Sequence, residues 1–169
     1  MNKMKKTFYT FCSLILAVLA IMSFCENAVA AEKLKADFTL ETKEALNFGQ
    51  LLKLGLPIIA DYGSEGCGPC RKMWPALKKT NEKYKGRALI KFAEVWKNPK
   101  TAGDMPLQVI PTQFFFTSAG KPYVPSSKMA KRLKFIQYKD KSGKHALTAH
   151  QGGLTETDFD DILKELGVK

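Results

Sequence analysis

Short apolar runs alternate along this chain with polar breaks rich in glycine and proline, and the breaks divide it into strands and helices. Ala31 to Leu40 is a polar lead-in with room for an edge strand. From Thr42 to Leu54 the positions Leu46, Phe48, Leu51, Leu52 and Leu54 make a rough helical face, which Gly55 closes. Leu56 to Tyr62 is a short β-rich run bounded by Pro57 and by glycines, so it predicts a buried strand rather than a helix. Arg71 to Tyr84 predicts a helix with Met73, Trp74 and Leu77 turned inward and a bend at Pro75. A second central strand falls within Arg87–Trp96, and a short helix within Pro99–Leu107. Phe114, Phe115 and Phe116 lie in a strand at Thr112–Thr117 that is buried on both faces. Leu133–Tyr138 and His145–His150 predict a hairpin turned by Asp140-Lys141-Ser142-Gly143. The last helix starts at Thr155, where Thr-Glu-Thr-Asp has the look of a capping box, and runs through Phe159, Ile162, Leu163 and Leu166.

Strands and helices in that order make an α/β sandwich around a mixed central sheet. A chain of 169 residues, 45% hydrophobic and 25% charged, suits one globular domain without disorder or repeats. The first thirty residues read differently. Lys3, Lys5 and Lys6 precede a mostly apolar stretch from Phe8 to Phe24, and Ala28-Val29-Ala30 offers small residues for cleavage. This is the pattern of a secretory signal peptide at residues 1–30, leaving 31–169 as the domain. The alternatives are an uncleaved anchor and a lipid on Cys25, the latter disfavoured by the bulky Phe24 before it. Export to the periplasm or the outer face of the cytoplasmic membrane is the expectation.

Removing the leader removes Cys12 and Cys25, so both remaining cysteines stand in Cys67-Gly68-Pro69-Cys70. A disulfide that closes a loop this short contributes little stability, so reactivity explains the pair better than structure does. A metal site would need two further ligands, and only His145 and His150 could add histidines, from the separate hairpin. The motif follows a strand and opens a helix. Unpaired N–H groups and the aligned peptide dipoles there stabilise a thiolate on Cys67. Cys70, one turn on, resolves the mixed disulfide. Gly68 allows close approach, and Pro69 suits a first helical turn that needs no N–H.

Further features sit at telling distances from the motif. Asp61 lies six residues before Cys67, Pro75 five after Cys70, Ile110-Pro111-Thr112 about forty beyond it, and Gly152-Gly153 precedes the last helix. With Cys-Gly-Pro-Cys, the set resembles the thioredoxin family over residues 42–118 and 145–167. The resemblance implies a thioredoxin fold and a thiol–disulfide oxidoreductase with no cofactor and no metal, acting on protein disulfides in redox homeostasis. It makes Cys67 the nucleophile, exposed at the helix start, and Cys70 the more buried resolving thiol. Asp61 becomes the buried carboxylate that exchanges the proton of Cys70, its alternative being a partly solvated strand-end residue. Pro111 is expected to be cis and to face the cysteines, against the alternative of an ordinary trans proline. Substrate would lie along Gly68, Pro69, Ile110 and Gly152. Three departures stand out. Phe92 falls where the family often has a lysine near the carboxylate. Gly63 and Gly66 replace rim aromatics, with Trp74 and Trp96 read as packing residues. Glu65 adds negative charge that opposes the thiolate.

The segment between the Thr112–Thr117 strand and the last one is about twenty residues longer than in thioredoxins. It is read as a basic insertion at 121–144, an extended β-hairpin near the C-terminus. Much of the net charge of +9 that residues 31–169 would carry (24 basic, 15 acidic) sits there. Lysines that protect an exposed edge account for it better than a docking surface does. A monomer reducing or exchanging protein disulfides is the expected function, with cytochrome c maturation among the processes that exported relatives serve. A membrane-embedded partner would supply electrons. No nucleic-acid motif is present. The alternatives are an extracytoplasmic dithiol oxidase, a copper or haem-pathway thiol chaperone, and a non-catalytic binding or chaperone module.

Overall fold

Both faces of a single six-stranded sheet are apolar, and helices and loops cover each of them. The computed structural model describes residues 36–169, so the leader read at 1–30 lies outside the described residues. In chain order the elements are β1 (Glu41–Thr42), α1 (Phe48–Leu51, continued by a 3-10 turn at Leu52–Leu54), β2 (Ile58–Gly63) and α2 (Gly68–Tyr84). Then come β3 (Leu89–Glu94), a 3-10 turn at Pro99–Ala102, β4 (Thr112–Phe116), α3 (Ser127–Arg132), β5 (Phe135–Lys139), β6 (His145–Gln151) and α4 (Glu156–Glu165). Spatially the strands run β1-β3-β2-β4-β6-β5. The first three are mutually parallel, and β4, β6 and β5 join by antiparallel pairing.

β2 and β4 are buried at every residue, as runs without polar alternation require. Ile59, Ile90 and Phe115 look onto α2 and α4, which deliver Leu77, Phe159, Ile162 and Leu163. Ile58, Ala60, Phe114 and Phe116 look the other way, onto Phe48, Leu51 and Leu52 of the α1 region. Each fully buried Leu, Ile or Phe contributes about 1.5–3 kcal/mol, so this two-sided packing holds β2 and its C-terminal end rigidly. The capping box at the last helix is present: Thr155 Oγ1 accepts from the Asp158 N–H at 3.2 Å, and Asp158 accepts from the Thr155 N–H at 2.9 Å. The hairpin turn also forms as read, with the Asp140 carboxylate accepting from the N–H groups of Ser142 and Lys144.

Three expectations change. The helix read over Thr42–Leu54 is confined to Phe48–Leu54, and its first residue instead belongs to the edge strand β1. Thr42 Oγ1 donates to Glu44 O at 2.7 Å, and Asn47 caps α1 by accepting from the Gln50 N–H at 3.1 Å. Such local bonds offer the backbone an alternative to the helix. The helix expected within Pro99–Leu107 is a single 3-10 turn that ends at Gly103. The insertion holds a helix as well as the hairpin strand read for it. Phe116 bridges to Pro122, Ser126 caps α3, buried Met129 anchors that helix, and β5 becomes the outer strand beside β6. One buried methionine among charged residues gives α3 no apolar periodicity to read.

Candidate functional site

The cysteine pair sits where β2 hands over to α2. Cys67 is the N-cap of the 17-residue α2, and its Sγ accepts from the Cys70 N–H at 3.2 Å. A sulfur therefore occupies the place usually taken by a capping oxygen, at the positive end of the helix dipole. The two cysteines are joined as a disulfide with Cα atoms 5.2 Å apart. Opposite them the Ile110–Pro111 peptide is cis, and Ile110 O lies 3.7 Å from Cys67 Sγ. Pro111 O accepts from the Gly152 N–H at 2.8 Å, which ties the end of β6 to this loop. Gly152 has φ +109°, a conformation strained for any side chain. Gly153 stands beside the Pro69 carbonyl.

Cys67 is not exposed in this disulfide form: it is 4% accessible and Cys70 5%, with the Ile110 carbonyl over the first sulfur. Gly68 has open space where a Cβ would stand, so nothing among the described residues requires a glycine there. Pro69 lies in the first turn of α2.

The rim differs from the reading of Trp96 as a packing residue. Its side chain is 60% exposed and lies on Gly66, where an added Cβ would come within 3.1 Å of the indole. Trp96 thus returns an aromatic to the rim from the loop after β3. Its position 29 residues after Cys67 gave no local signal of this. Trp74 does pack, edge-on against Phe92 with ring centroids 4.9 Å apart. A cleft of about 500 Å³ beside Cys70 is lined by Ser64, Glu65, Arg71, Trp74 and Phe92 among others. Glu65 forms an ion pair with Lys97, which offsets its charge near Cys67. Arg71 donates to the carbonyls of Glu65 and Gly66, holding the loop ahead of the nucleophile. Burial pushes the Glu94 carboxyl up, but donors from Glu65, Ser64, Lys97 and Trp96 outweigh it and hold the group below its ordinary value.

Asp61 is fully buried, not a partly solvated strand-end residue. It shares a face of β2 with Gly63, against which Cys70 packs, so that a Cβ on Gly63 would lie 3.4 Å from Cys70 Sγ. Burial raises its pKa to about 7, tempered by a hydrogen bond from Gln113 Nε2 at 2.8 Å. Phe92 is its partner in register on β3, while Lys91 points to the other face and binds Asp37. Gln113 and His150 were not singled out by the sequence as partners of Asp61, because only strand pairing places them in line with it. Among the described residues no cluster of three or more His, Cys, Asp or Glu side chains could hold a metal ion. In the basic insertion, Arg132 is engaged by Asp158 and Asp161.

A thioredoxin family model matches residues 39–139. Thioredoxin of Alicyclobacillus acidocaldarius is 32% identical over 76 residues, which cover 45% of this chain and 71% of that protein. Thioredoxin of Acidithiobacillus ferridurans is 32% identical over 71 residues, covering 42% and 65%. The bifunctional thioredoxin reductase/thioredoxin of Mycobacterium leprae is 28% identical over 87 residues, covering 52% of this chain and 19% of that one. A crystal structure of chloroplastic thioredoxin z aligns over 73% of this chain and 93% of its own, at 18% identity and a TM-score of 0.47.

Proposed function

This chain belongs to the thioredoxin family, whose chemistry is thiol–disulfide exchange, and on that basis we propose that it reduces or exchanges protein disulfides outside the cytoplasm. The observation that carries the reading is Cys67 Sγ accepting the Cys70 N–H at the start of α2, beside the Ile110–Pro111 loop. In the reduced protein that N–H and the helix dipole favour a thiolate on Cys67. The thiolate attacks a substrate disulfide, forms a mixed disulfide and expels one substrate thiolate. Cys70 then loses its proton to Asp61 and attacks Cys67 Sγ. The Cys67–Cys70 bond forms, the bond to substrate breaks, and the second substrate sulfur leaves and is protonated. Two electrons have passed from the dithiol to the substrate. The Ile110 and Gly152 backbone flanks the substrate strand, and Gly68 and Pro69 border it.

Export rests on the basic-apolar-small pattern of residues 1–30. In that compartment a membrane-embedded dithiol donor restores the reduced state, and apocytochromes c are suitable substrates. The protein acts as a monomer. Purified residues 31–169 reduce insulin with dithiothreitol as electron source; absence of turnover sinks the reading. Equilibration with glutathione tests direction: a potential near about −270 mV fits a reductant, and one near about −120 mV would make the protein an oxidase.

Trp96 meets the substrate. An exposed indole lying on Gly66, the residue before Cys67, is the kind of side chain that anchors a partner. Trp96→Ala should raise KM for insulin roughly 5- to 30-fold, as loss of ~1–2 kcal/mol implies, with little change in kcat. An unchanged KM would remove Trp96 from the binding surface.

A further inference from the structure

Side chains from five strands form one row across the face of the sheet that carries the cysteine helix. In register they are Phe92, Asp61, Gln113, His150 and Phe135, on β3, β2, β4, β6 and β5. A phenylalanine stands on either side of the three central groups, which are polar and buried, and the exposed Glu41 of β1 is next in register beyond Phe92. Gln113 Nε2 lies 2.8 Å from Asp61 Oδ1 and 3.2 Å from Gly152 O, while Gln113 Oε1 lies 3.0 Å from His150 Nδ1. The chemistry of these atoms sets every donor. The Gly152 carbonyl can only accept, so the amide must present its NH2 on the side shared by Gly152 O and Asp61 Oδ1. Its oxygen then faces the ring nitrogen, which must carry the hydrogen. The direction is therefore fixed from His150 Nδ1–H to Gln113 to Asp61. Asp61 Oδ1 is occupied, and Oδ2 is buried without a partner.

We propose that Gln113 and His150 are positioning residues for Asp61: they occupy its Oδ1, so that the proton exchanged with Cys70 is carried on Oδ2 alone. His150 acts through the amide. Its N–H keeps Gln113 from turning its oxygen onto the carboxylate, and the second amide hydrogen, on Gly152 O, links the row to the loop over the sulfurs. The row also holds Asp61 within a useful range. A donor to the ionised carboxylate counteracts burial, without which Oδ2 would keep its proton above neutral pH. The other groups around the row bear this out. Phe92 stands beside Asp61 in register, Met73 Sδ lies 3.6 Å from Gln113 Nε2, and Cys70 packs against Gly63 on the same face; none of these is a cation. Facing His150 are the Phe135 ring and, from α4, Asp158, which is itself bridged to Arg132 of α3. Burial keeps the imidazole below its ordinary pKa, hence neutral and able to donate through Nδ1 while remaining uncharged.

The inference rests on the disulfide-exchange reading for its purpose but not for its test. The Asp61 carboxyl is titrated by carbon-13 NMR in the full oxidised domain, with Asp61→Asn identifying its signal. Gln113→Leu should shift that titration up by about one pH unit, as loss of a hydrogen bond to a charged group implies. His150→Leu should shift it the same way by less. His150→Asn, which keeps a donor where Nδ1 stands, should restore it. The pH profile of kcat for insulin reduction should move in parallel, with KM unchanged. A titration that stays in place in folded Gln113→Leu and His150→Leu proteins overturns the proposal, as does a failure of His150→Asn to restore it. If Gln113→Leu does not fold, the two His150 variants decide alone. Loss of the exchange reading would look different: wild-type protein would fail to reduce insulin, whatever Asp61 does.

Discussion

Cys67→Ser abolishes insulin reduction, with a loss on the order of 10³-fold or more, because Cys70 alone lacks the helix-cap position that stabilises a thiolate and has no second thiol of the pair to complete the cycle. Cys70→Ser loses turnover as well, but at a later stage. Its Cys67 still has the helix dipole and the backbone N–H of the substituted residue to stabilise a thiolate, so it attacks and then stalls as a mixed disulfide. Mass spectrometry of the Cys70→Ser protein after incubation with substrate should find that adduct on Cys67. The two variants together separate nucleophile from resolving thiol. Residual turnover in Cys67→Ser, or an adduct that forms on Cys70 of Cys67→Ser as readily as on Cys67, would reverse the assignment. That asymmetry comes from position: both sulfurs are equally covered in the disulfide, but only Cys67 caps the helix.

Asp61→Asn stabilises the oxidised protein at pH 8 by on the order of 3 kcal/mol and changes little at pH 4. In the unfolded chain this carboxyl loses its proton near its ordinary value of 3.8, whereas in the folded protein burial keeps it protonated to about 7. Between those values the folded state binds more protons than the unfolded one, so stability falls as pH rises. The penalty is complete above pH 7 and absent below about pH 4. Asparagine keeps the shape and can still accept from Gln113, though its amide leaves one donor where Oδ2 had no partner. Denaturant unfolding of both proteins at the two pH values measures the difference. An equal effect at pH 4 and pH 8 would mean that folding does not raise the Asp61 pKa. The same substitution should slow resolution by Cys70, so stability is gained where catalysis is lost.

The site was legible where chemistry is local in sequence. Cys67 to Cys70 follow a bounded apolar run, so strand, turn and helix start could all be read from adjacent residues, and Thr155 with Asp158 announced the last helix in the same way. The mixed sheet flanked by helices followed from the order of those elements. Legibility failed where a side chain's partner is remote. Thr42 and Asn47 redirect their own backbone, which a count of apolar positions misses. Trp96 reaches Gly66 only because β3 lies beside β2. Gln113 and His150 look like stray polar residues in apolar strands until pairing puts them in line with Asp61. The departure at Phe92, which left the proton route without the family's lysine, finds its counterpart here: the polar partner of Asp61 comes from β4 instead of β3.

Alkylation of the reduced protein with iodoacetamide across pH 5 to 10, read site by site by mass spectrometry, tests the helix-start thiolate most directly. Cys67 should react first, with an apparent pKa at least about one unit below the ~8.5 of a free cysteine, while Cys70 stays protected. A Cys67 that reacts only as fast as an ordinary thiol, or after Cys70, would contradict the account.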